Sequence, residues 1–383
     1  MAMRRFVPLG RTRPGRPFYA GHEVELLIDG GPYYRRVLAD LETAERYIFI
    51  ETYILRSDDT GWTLVRALVE AAARGVEVAL VYDAYGSDEL ADDMVQAIDG
   101  AGIKRLAFRP LSFSKWSWPW SRRNHRKLVL VDGRIGIVGG LNIGDEYAES
   151  NSGQKGWRDT AVRVVGPAVL QLDRLFRHLW RVEKGPELQS GLQGRPQAIP
   201  GGVAVRFVAN FARGERALIR RAYEVAVMSA RGQVRIMNAY FFPHRTLRRA
   251  LEEAARRGVK VQLIIAGNTD VKPAIYAARS LYSRLLRAGV EIYEWHERVL
   301  HAKTAIVDGE WTTIGSSNLD PFSSFVNLEL NAGIFSRSFG MQVSQQFEDD
   351  LARCVRVDPE QWKKRPLFER LLELGFRWFT KRY

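Results

Sequence analysis

Ala67–Val81 reads ALVEAAARGVEVALV, and Ala250–Ile264, at an offset of 183 residues, reads ALEEAARRGVKVQLI. Ten of the fifteen positions are identical. Each copy predicts an amphipathic helix, a glycine at its C-terminal stop (Gly75 or Gly258) and then an apolar strand. A strand-like run rich in apolar residues precedes each copy, so the sequence predicts one β-α-β unit in each half of the chain. These preceding runs are Tyr47–Leu55 and Val234–Phe242.

A predicted hairpin follows the β-α-β unit in each half. The turns carry Asp-Gly, at Asp132-Gly133 and Asp308-Gly309, between short apolar runs, and this is a strong hairpin signal. Gly191–Gly202, with the sequence GLQGRPQAIPGG, has the glycine and proline content of a linker or surface loop. We therefore predict an α/β protein built as a duplicated α/β/α sandwich. Its lobes, residues 1–195 and 196–383, are expected to be related by an approximate two-fold axis and to share one active site.

The composition excludes several classes of protein. The 383 residues are 46% hydrophobic and 26% charged, as in a globular protein with a core. Cys354 is the single cysteine, which excludes an intramolecular disulfide and a cysteine-based zinc cluster. No apolar run approaches the ~20 residues that span a bilayer, and the basic N-terminus lacks the apolar stretch of a signal peptide. These features predict a cytoplasmic protein without a transmembrane anchor. The net charge of +13 favours polyanionic surroundings: nucleic acid, an anionic membrane or a phosphorylated substrate.

The residues that carry chemistry form the pattern H-x-K-x4-D, which occurs twice. It spans His125–Asp132 in the first half and His301–Asp308 in the second. Fourteen residues after each histidine the match continues, with Gly139–Asn142 and Gly315–Asn318. The chain has only six histidines, so two copies at equivalent places of a repeat are poorly explained by chance. The other four histidines show no such arrangement and are predicted to be structural.

A histidine and a lysine two residues apart on an extended segment point to the same face. Facing lobes would bring two imidazoles and two ammonium groups together, which suits the negative charge of a phosphodiester in its transition state. One neutral histidine can attack phosphorus and the other can protonate the leaving alkoxide, with no metal or other cofactor. We predict the motif residues as the catalytic set: His125, Lys127, Asp132, His301, Lys303 and Asp308.

Carboxylates downstream of the motifs are candidates to orient the histidines. A nucleophilic histidine needs an acceptor on its far ring nitrogen, because that hydrogen bond fixes its tautomer and orientation. Asp159 and Glu329 lie in strand-like runs after the first and the second motif. Asp132 and Asp308 belong to the motifs but fall at the hairpin turns, and we expect them to brace the turn rather than touch substrate.

These motifs resemble the signature of the phospholipase D superfamily, a duplicated H-x-K-x4-D followed by Gly-Gly or Gly-Ser and an asparagine. The similarity covers Tyr19–Phe347, and within the superfamily the chain is similar to bacterial cardiolipin synthases without N-terminal transmembrane helices. One departure is Ala161, at a position where the family often has histidine, and it bears on the choice of substrate. Further runs that support the resemblance are Phe49–Tyr53, Tyr82–Ser87, Asn238–Pro243 and Gly139–Ile143.

The resemblance implies a phospholipase D-like fold and a two-step phosphatidyl transfer through a phosphohistidine. It implies phosphatidylglycerol as the donor, glycerol as the released product, and no cofactor. Either His125 or His301 is implied as the nucleophile, and family analogy favours His125. The residues implied to bind phosphate or to orient the histidines are Lys127, Lys303, Asn142, Asn318, Ser316, Asp159 and Glu329.

Two segments predict contact with lipid. Lys115–Arg123 alternates tryptophan with flanking cations, which suits a membrane interface, although a buried aromatic cluster over the site is the alternative. Pro366–Tyr383 has the pattern of a basic amphipathic helix that lies in an anionic bilayer surface, or of a helix packed on the domain. We expect phospholipid substrates, no nucleic-acid partner, and a peripheral position on the inner face of the cell membrane. The residues predicted to contact the membrane are Trp116, Trp118, Trp120 and Trp378.

Other functions stay open from the sequence. The acceptor could be water or another alcohol, which would make the protein a phospholipase D or a broader transphosphatidylase, because acceptor choice depends on pocket shape and water exclusion. The net charge also permits a nucleic-acid phosphodiesterase or a non-catalytic polyanion-binding protein. Against nucleic acid, no recognisable reading module is present in the sequence.

Overall fold

The computed structural model describes residues 17–110, 122–149, 153, 155–192, 194, 196–210, 217–269, 271–366, 370 and 375. Its strands are β1 (Tyr19–Ile28), β2 (Tyr47–Thr52), β3 (Glu77–Asp83), β4 (Lys104–Phe108), β5 (Leu128–Val131), β6 (Ile135–Gly139), β7 (Thr160–Val165), β8 (Val203–Asn210), β9 (Gln233–Asn238), β10 (Lys260–Ala266), β11 (Glu291–Trp295), β12 (Lys303–Val307), β13 (Trp311–Gly315), β14 (Glu329–Phe335) and β15 (Val355–Arg356). Its helices are α1 (Gly30–Glu42), α2 (Asp59–Ala73), α3 (Asp92–Gly100), α4 (Val169–Val182), α5 (Leu218–Ser229), α6 (Arg245–Arg256), α7 (Lys272–Arg287), α8 (Pro321–Phe325), α9 (Arg337–Leu351) and α10 (Pro359–Lys363).

The described strands form one sheet in the order β15-β11-β10-β9-β12-β13-β14-β8-β1-β7-β6-β5-β2-β3-β4. The order outward from the centre is the same on both sides: β1, β7, β6, β5, β2, β3, β4 and β8, β14, β13, β12, β9, β10, β11. At the centre β1 and β8 pair antiparallel, with His22 opposite Val203. Three neighbouring strands in each half run parallel, as the β-α-β prediction requires. The duplicated α/β fold predicted from the sequence is confirmed.

Helices cover both faces of the sheet. Alternate residues of a strand point to opposite faces, so each strand contributes side chains to the core on either side. In β2, Ile48 and Ile50 belong to a core with residues of α1, α2 and α3, whereas Tyr47 and Phe49 belong to the core on the other face. The second half has a matching core with residues of α5, α6 and α7. The core that contains Tyr47 continues into the second half and includes residues of α4 and α9. The halves therefore share an apolar core as well as strand pairing.

Local signals in the sequence appear as predicted. Gly75 and Gly258 follow α2 and α6 with φ of 88° and 87°, a left-handed conformation that a β-carbon would strain. In the hairpin of β5 and β6, Asp132 and Gly133 have φ of 51° and 62°, and the turn between β12 and β13 has the same form. Positive φ at both central residues is what a type I′ turn requires.

The segment between α4 and β8 contains the predicted boundary between the lobes, at residues 195 and 196. These domain limits stay a prediction. Within the described ranges, every helix is too short or too polar to cross a bilayer.

Candidate active site

Both histidine segments lie where the halves join. The main-chain N–H of His125 donates to the carbonyl of Leu328 at 3.0 Å, and that of His301 donates to the carbonyl of Arg158 at 2.8 Å. Leu328 and Arg158 directly precede Glu329 and Asp159 in sequence. Each histidine segment is thus bound to the segment that carries the predicted carboxylate of the other half.

The histidine side chains also contact the other half. His125 Nδ1 lies 3.1 Å and 3.2 Å from the two carboxylate oxygens of Glu329, and His301 Nδ1 lies 2.6 Å from Oδ2 of Asp159. Both carboxylates are buried. An ionised carboxylate only accepts hydrogen bonds, so Nδ1 carries the proton of the neutral imidazole and Nε2 keeps its lone pair for reaction. The sequence predicted both carboxylates but left open which histidine each one contacts.

The surroundings lower the pKa of both histidines and so favour the neutral imidazole. Burial is the main cause that lowers the pKa of His125, and the two motif lysines add to it against the opposing effect of Glu329. Burial, together with Lys303, lowers the pKa of His301 to about 4. Burial alone would raise the pKa of Asp159, but His301 and Lys303 hold it below its usual value. A neutral imidazole beside an ionised carboxylate is the form that can attack phosphorus.

The motif lysines supply positive charge beside the histidines. Both are buried; Lys127 Nζ donates to the carbonyl of His125 at 2.8 Å, and Lys303 Nζ donates to the carbonyl of His301. The pKa of Lys127 is lowered to about 7, first by burial and also by Lys303, although nearby carboxylates oppose this. Two buried lysines beside each other favour the binding of an anion, which would restore the charge on Lys127.

The motif aspartates lie at the far ends of β5 and β12 from the histidines and lysines. The Asp132 carboxylate accepts hydrogen bonds from the main-chain N–H groups of residues 45–47, at 2.8–2.9 Å. The Asp308 carboxylate accepts from residues 231–233 at the same distances. These contacts tie each hairpin turn to the start of β2 or β9, as expected for residues that brace the turn. The sequence grouped both aspartates with the catalytic set, and the structure places them apart from it.

The two asparagines of the motifs have different surroundings. Asn142 Oδ1 accepts from the N–H of Ile54 at 3.2 Å, and its Nδ2 donates to the hydroxyl of Tyr147 at 2.7 Å. Asn318 Oδ1 is buried and has no hydrogen-bond partner among the described residues. Asn318 therefore keeps a polar group for a ligand, whereas both ends of the Asn142 side chain are engaged within the protein. Phosphate binding by the two asparagines stays a prediction.

Ser316, predicted to bind phosphate, contacts a carboxylate. Its hydroxyl donates to Oε2 of Glu329 at 2.5 Å and accepts from the N–H of Leu330 at 3.0 Å. The equivalent residue of the first half is Gly140, where a β-carbon would lie 2.2 Å from Oδ1 of Asp159. Ser316 thus holds the carboxylate that faces His125, and these contacts give no support to the predicted phosphate role.

Aromatic rings line the two histidines unequally. The Tyr53 ring lies 5.1 Å from the His125 ring, between centroids, whereas Tyr147 and Trp157 lie 5.4 Å and 5.6 Å from that of His301. The side chain of His125 is 12% exposed and that of His301 is 6% exposed. Sequence reasoning did not assign these rings to the site. Tyr53 ends one of the runs that support the family resemblance, and its place directly after a buried strand is the signal that could have found it.

Other predictions concern residues away from these contacts. Ala161 is buried in a core of the first half and pairs with Gly139 across β6 and β7. The predicted membrane contacts Trp116, Trp118, Trp120 and Trp378 lie outside the described residues. Among the residues that the structure does describe, no group of three or more histidine, cysteine, aspartate or glutamate side chains is placed to hold a metal ion.

Comparison with known sequences gives consistent matches over most of the chain. A family model described as "Cardiolipin synthase, PLD-like domain" matches residues 37–180 and 224–351. A cardiolipin synthase of Geobacillus kaustophilus is 34% identical over 359 residues, which cover 93% of this chain and 72% of that protein. Cardiolipin synthase B of Escherichia coli K12 is 37% identical over 358 residues, which cover 90% of this chain and 84% of that protein.

Comparison with solved structures supports the fold. A phosphatidylserine synthase of Haemophilus influenzae superposes with a TM-score of 0.72 at 12% identity, covering 95% of this chain and 96% of that chain. A polyphosphate kinase of Porphyromonas gingivalis superposes with a TM-score of 0.57 at 14% identity, covering 88% of this chain and 49% of that chain. At these identities the likeness shows a shared architecture.

Proposed function

The chain belongs to the cardiolipin synthase family of phospholipase D-like proteins, and from this we propose that it transfers a phosphatidyl group from phosphatidylglycerol to a second phospholipid alcohol, with release of glycerol. The observation that carries the proposal is the pair of histidine–carboxylate contacts made across the halves. Two imidazoles held through Nδ1 at one junction, beside two buried lysines, supply a nucleophile, an acid/base and positive charge for a phosphodiester.

We assign the nucleophile to His125 and the acid/base to His301. The greater exposure of His125 suits attack on a bulky lipid phosphodiester. The 2.6 Å contact of His301 with a buried, ionised Asp159 suits the imidazolium that forms when this histidine holds a proton. The phosphodiester anion, bound beside His301 and Lys303, offsets the burial that lowers the pKa of His301.

The reaction then has two steps. In the first, Nε2 of His125 bonds to phosphorus as the bond from phosphorus to the glycerol oxygen breaks, and His301 gives its proton to that oxygen. In the second, the hydroxyl group of the acceptor lipid gives its proton to His301 and attacks phosphorus. The bond from nitrogen to phosphorus breaks, and its electron pair returns to His125. The motif lysines offset the charge on the phosphate oxygens in both steps.

The test of the function is incubation of the purified protein with phosphatidylglycerol vesicles. We expect cardiolipin and glycerol in equal amounts from the wild type. Absence of both products would refute the transfer. Phosphatidic acid as the main product would show that water is the acceptor, and cleavage of oligonucleotides without lipid turnover would favour a nucleic-acid phosphodiesterase.

The test of the histidine roles uses His125→Ala and His301→Ala. Each change should lower kcat by several orders of magnitude. Residues that act together in catalysis depend on one another, so the loss of one removes most of their combined effect. His301→Ala should also accumulate a phosphatidyl group on the protein, visible as added intact mass. Accumulation on His125→Ala instead would reverse the assignment.

The membrane association is also part of the proposal, as a peripheral contact on the inner face of the cell membrane. The net charge of +13 favours an anionic surface. Two exposed rings lie near site residues. Tyr85, 37% exposed, lies 5.3 Å from the guanidinium of Arg123, which is two residues before His125. Phe322, 44% exposed, belongs to α8, which begins three residues after Asn318. Such rings beside the site suit contact with lipid.

Vesicle cosedimentation tests this contact. Tyr85→Ser with Phe322→Ser should weaken binding to vesicles that contain phosphatidylglycerol, and salt should weaken binding of the wild type. Met341→Ser, a change at a still more exposed apolar residue on α9, is the control and should leave binding unchanged. Equal effects of the two variants would place the membrane contact elsewhere.

A further inference from the structure

A buried arginine connects the two halves directly behind the His301–Asp159 pair. Arg158 is 2% exposed, and its guanidinium makes a bidentate contact with Asp350 of α9, at 3.0 Å and 2.6 Å. Its third nitrogen donates to the carbonyl of Asp159 at 2.5 Å and to the hydroxyl of Thr160 at 3.0 Å. The guanidinium therefore spans from a helix of the second half to the residue that faces His301.

Asp29 extends this contact into a row of alternating charges. It accepts from Arg298 at 2.6 Å and from the main-chain N–H of Asp159 at 3.3 Å, and its own N–H donates to the carbonyl of Asp159 at 3.0 Å. The row crosses between the halves twice and has no net charge. We call its four members the Arg158 clamp: Arg298, Asp29, Arg158 and Asp350. The main chain of Asp159 is held by the clamp from both sides.

His125 has the equivalent main-chain hydrogen bond, but the residue that accepts it makes no ionic contact. Leu328 stands before Glu329 as Arg158 stands before Asp159, and its carbonyl accepts from the N–H of His125. The side chain of Leu328 lies in the apolar core that both halves share. The two carboxylates thus differ in support: one follows a residue fixed by a planar, bidentate ionic contact, and the other follows a residue held by apolar packing.

We propose that Arg158 is a positioning residue for His301: through the clamp it fixes Asp159 against Nδ1 of His301, so that this histidine gives and takes its proton along one set direction. A guanidinium fork holds a carboxylate in one geometry, which a point charge on a flexible stem does not. The inference rests on the proposed function in assigning proton transfer to His301. The position of Asp159 itself can be tested without turnover.

The test variant replaces both members of the bidentate pair, Arg158→Leu with Asp350→Leu. Removal of Arg158 alone would leave buried carboxylates without their partner, whereas an apolar pair of similar volume is usually tolerated. Leucine is also the residue that the second half has at the equivalent place. With phosphatidylglycerol vesicles, kcat should fall about 10- to 100-fold while KM changes less than about 2-fold, because substrate contacts are intact.

NMR of the protein without lipid gives the readout that a merely structural role would not move. The Nδ1–H proton of His301, held on Asp159, should lose its downfield shift in the double variant. The pKa of His301 should fall further, because Asp159 raises it against the effects of burial, Lys303 and Lys127. The ring of Tyr147, which also faces His301, carries no charge in this range. The limb of the kcat–pH profile that reports His301 should move to lower pH.

The control is a pair of the same geometry away from the histidines. Arg163 makes a bidentate contact with Asp40, at 2.7 Å and 2.9 Å, and both are buried. Arg163→Leu with Asp40→Leu should leave kcat and the His301 resonance unchanged. Equal losses in both double variants, or an unchanged His301 resonance after the Arg158 change, would overturn the inference. If the wild type turned over no lipid, the NMR result would still decide the role of Arg158, and only the proposed function would fail.

Discussion

Asn142 and Asn318 occupy the same place in the two motifs, but their neighbours differ. Tyr147 takes a hydrogen bond from the side chain of Asn142, whereas the residue at the equivalent position, Ser323, accepts from the main-chain N–H of Asn318. The difference arises from residues five positions further along, where the two halves have no common sequence. A motif read by itself therefore assigns one role to both asparagines, and only the neighbours show that one of them is committed to the fold.

Substitution by alanine should separate these two roles. Asn142→Ala leaves buried partners unpaired, so the free energy of unfolding should fall by about 2–3 kcal/mol. Asn318→Ala removes a side chain whose Oδ1 has no partner among the described residues, so unfolding should change by less than about 1 kcal/mol while kcat/KM falls roughly 100-fold. Urea unfolding and lipid turnover measure the two effects. Equal stability losses would contradict the contrast.

At the scale of strands, β6 and β13 end at equivalent points and deliver different residues to the carboxylates. Gly140 follows β6 and leaves room for Asp159, whereas Ser316 follows β13 and donates to Glu329. The shorter side chain, that of Asp159, thus lies beside a glycine, and the longer side chain, that of Glu329, lies beside a serine. The residue after each strand therefore contacts the carboxylate that faces a histidine.

An exchange of these two residues should have unequal effects. Gly140→Ser places a β-carbon where Oδ1 of Asp159 lies, so Asp159 must move off His301 and kcat should fall at least about 100-fold. Ser316→Gly removes one hydrogen bond to Glu329 without a clash, and kcat should fall less than about 10-fold. Steady-state turnover of phosphatidylglycerol vesicles measures both. A larger loss from Ser316→Gly would show that the glycine is not under this constraint.

The hairpin turns give a prediction about stability rather than turnover. Asp132→Ala and Asp308→Ala each remove three hydrogen bonds and place alanine at a positive φ. The free energy of unfolding should fall by about 2–4 kcal/mol, and by more for Asp132, which is the more buried of the two. The kcat of the remaining folded protein should stay near the wild-type value. A direct catalytic role would instead lower kcat in protein that is still folded.

Much of the element structure was predictable because its signals are local. The helix stops at Gly75 and Gly258 and the Asp-Gly turns depend on residues next to each other, and the duplication of the motifs predicted two equivalent halves. The sequence did not predict that Asp159 and Glu329 each contact the histidine of the other half. These contacts depend on how segments about 140 to 200 residues apart cross at the junction. The rings around His301 and the clamp at Arg158 were missed for the same reason.

The whole molecule is joined at the centre of its sheet, where β1 meets β8. His22 is buried there; its Nδ1 donates to the carbonyl of Val203 at 3.1 Å, and its Nε2 accepts from the N–H of Ala168 at 2.7 Å. One donating and one accepting nitrogen require the neutral ring. Burial accordingly lowers the pKa of His22, although its main-chain contacts oppose this. A histidine predicted to be structural therefore ties the first half to the second in one protonation state.

The pH dependence of stability follows from that state. The lowered pKa in the folded protein means that unfolding takes up a proton below pH 6.5, the ordinary value. This contribution is complete above pH 6.5 and is lost as the pH falls from there toward the folded-state pKa, at up to about 1.4 kcal/mol per pH unit. His22→Gln should flatten this part of the profile in urea unfolding. A parallel profile for the variant would assign the slope to the other histidines with a lowered pKa, which are His125, His244 and His301.

The crossed carboxylates carry an evolutionary consequence. An ancestral chain of half this length would have held a histidine without its acceptor, and identical copies would have completed each other only by association. In one chain that association is intramolecular and independent of protein concentration. One chain can also carry different residues at equivalent places of its two halves, as it does with Gly140 opposite Asp159 and Ser316 opposite Glu329.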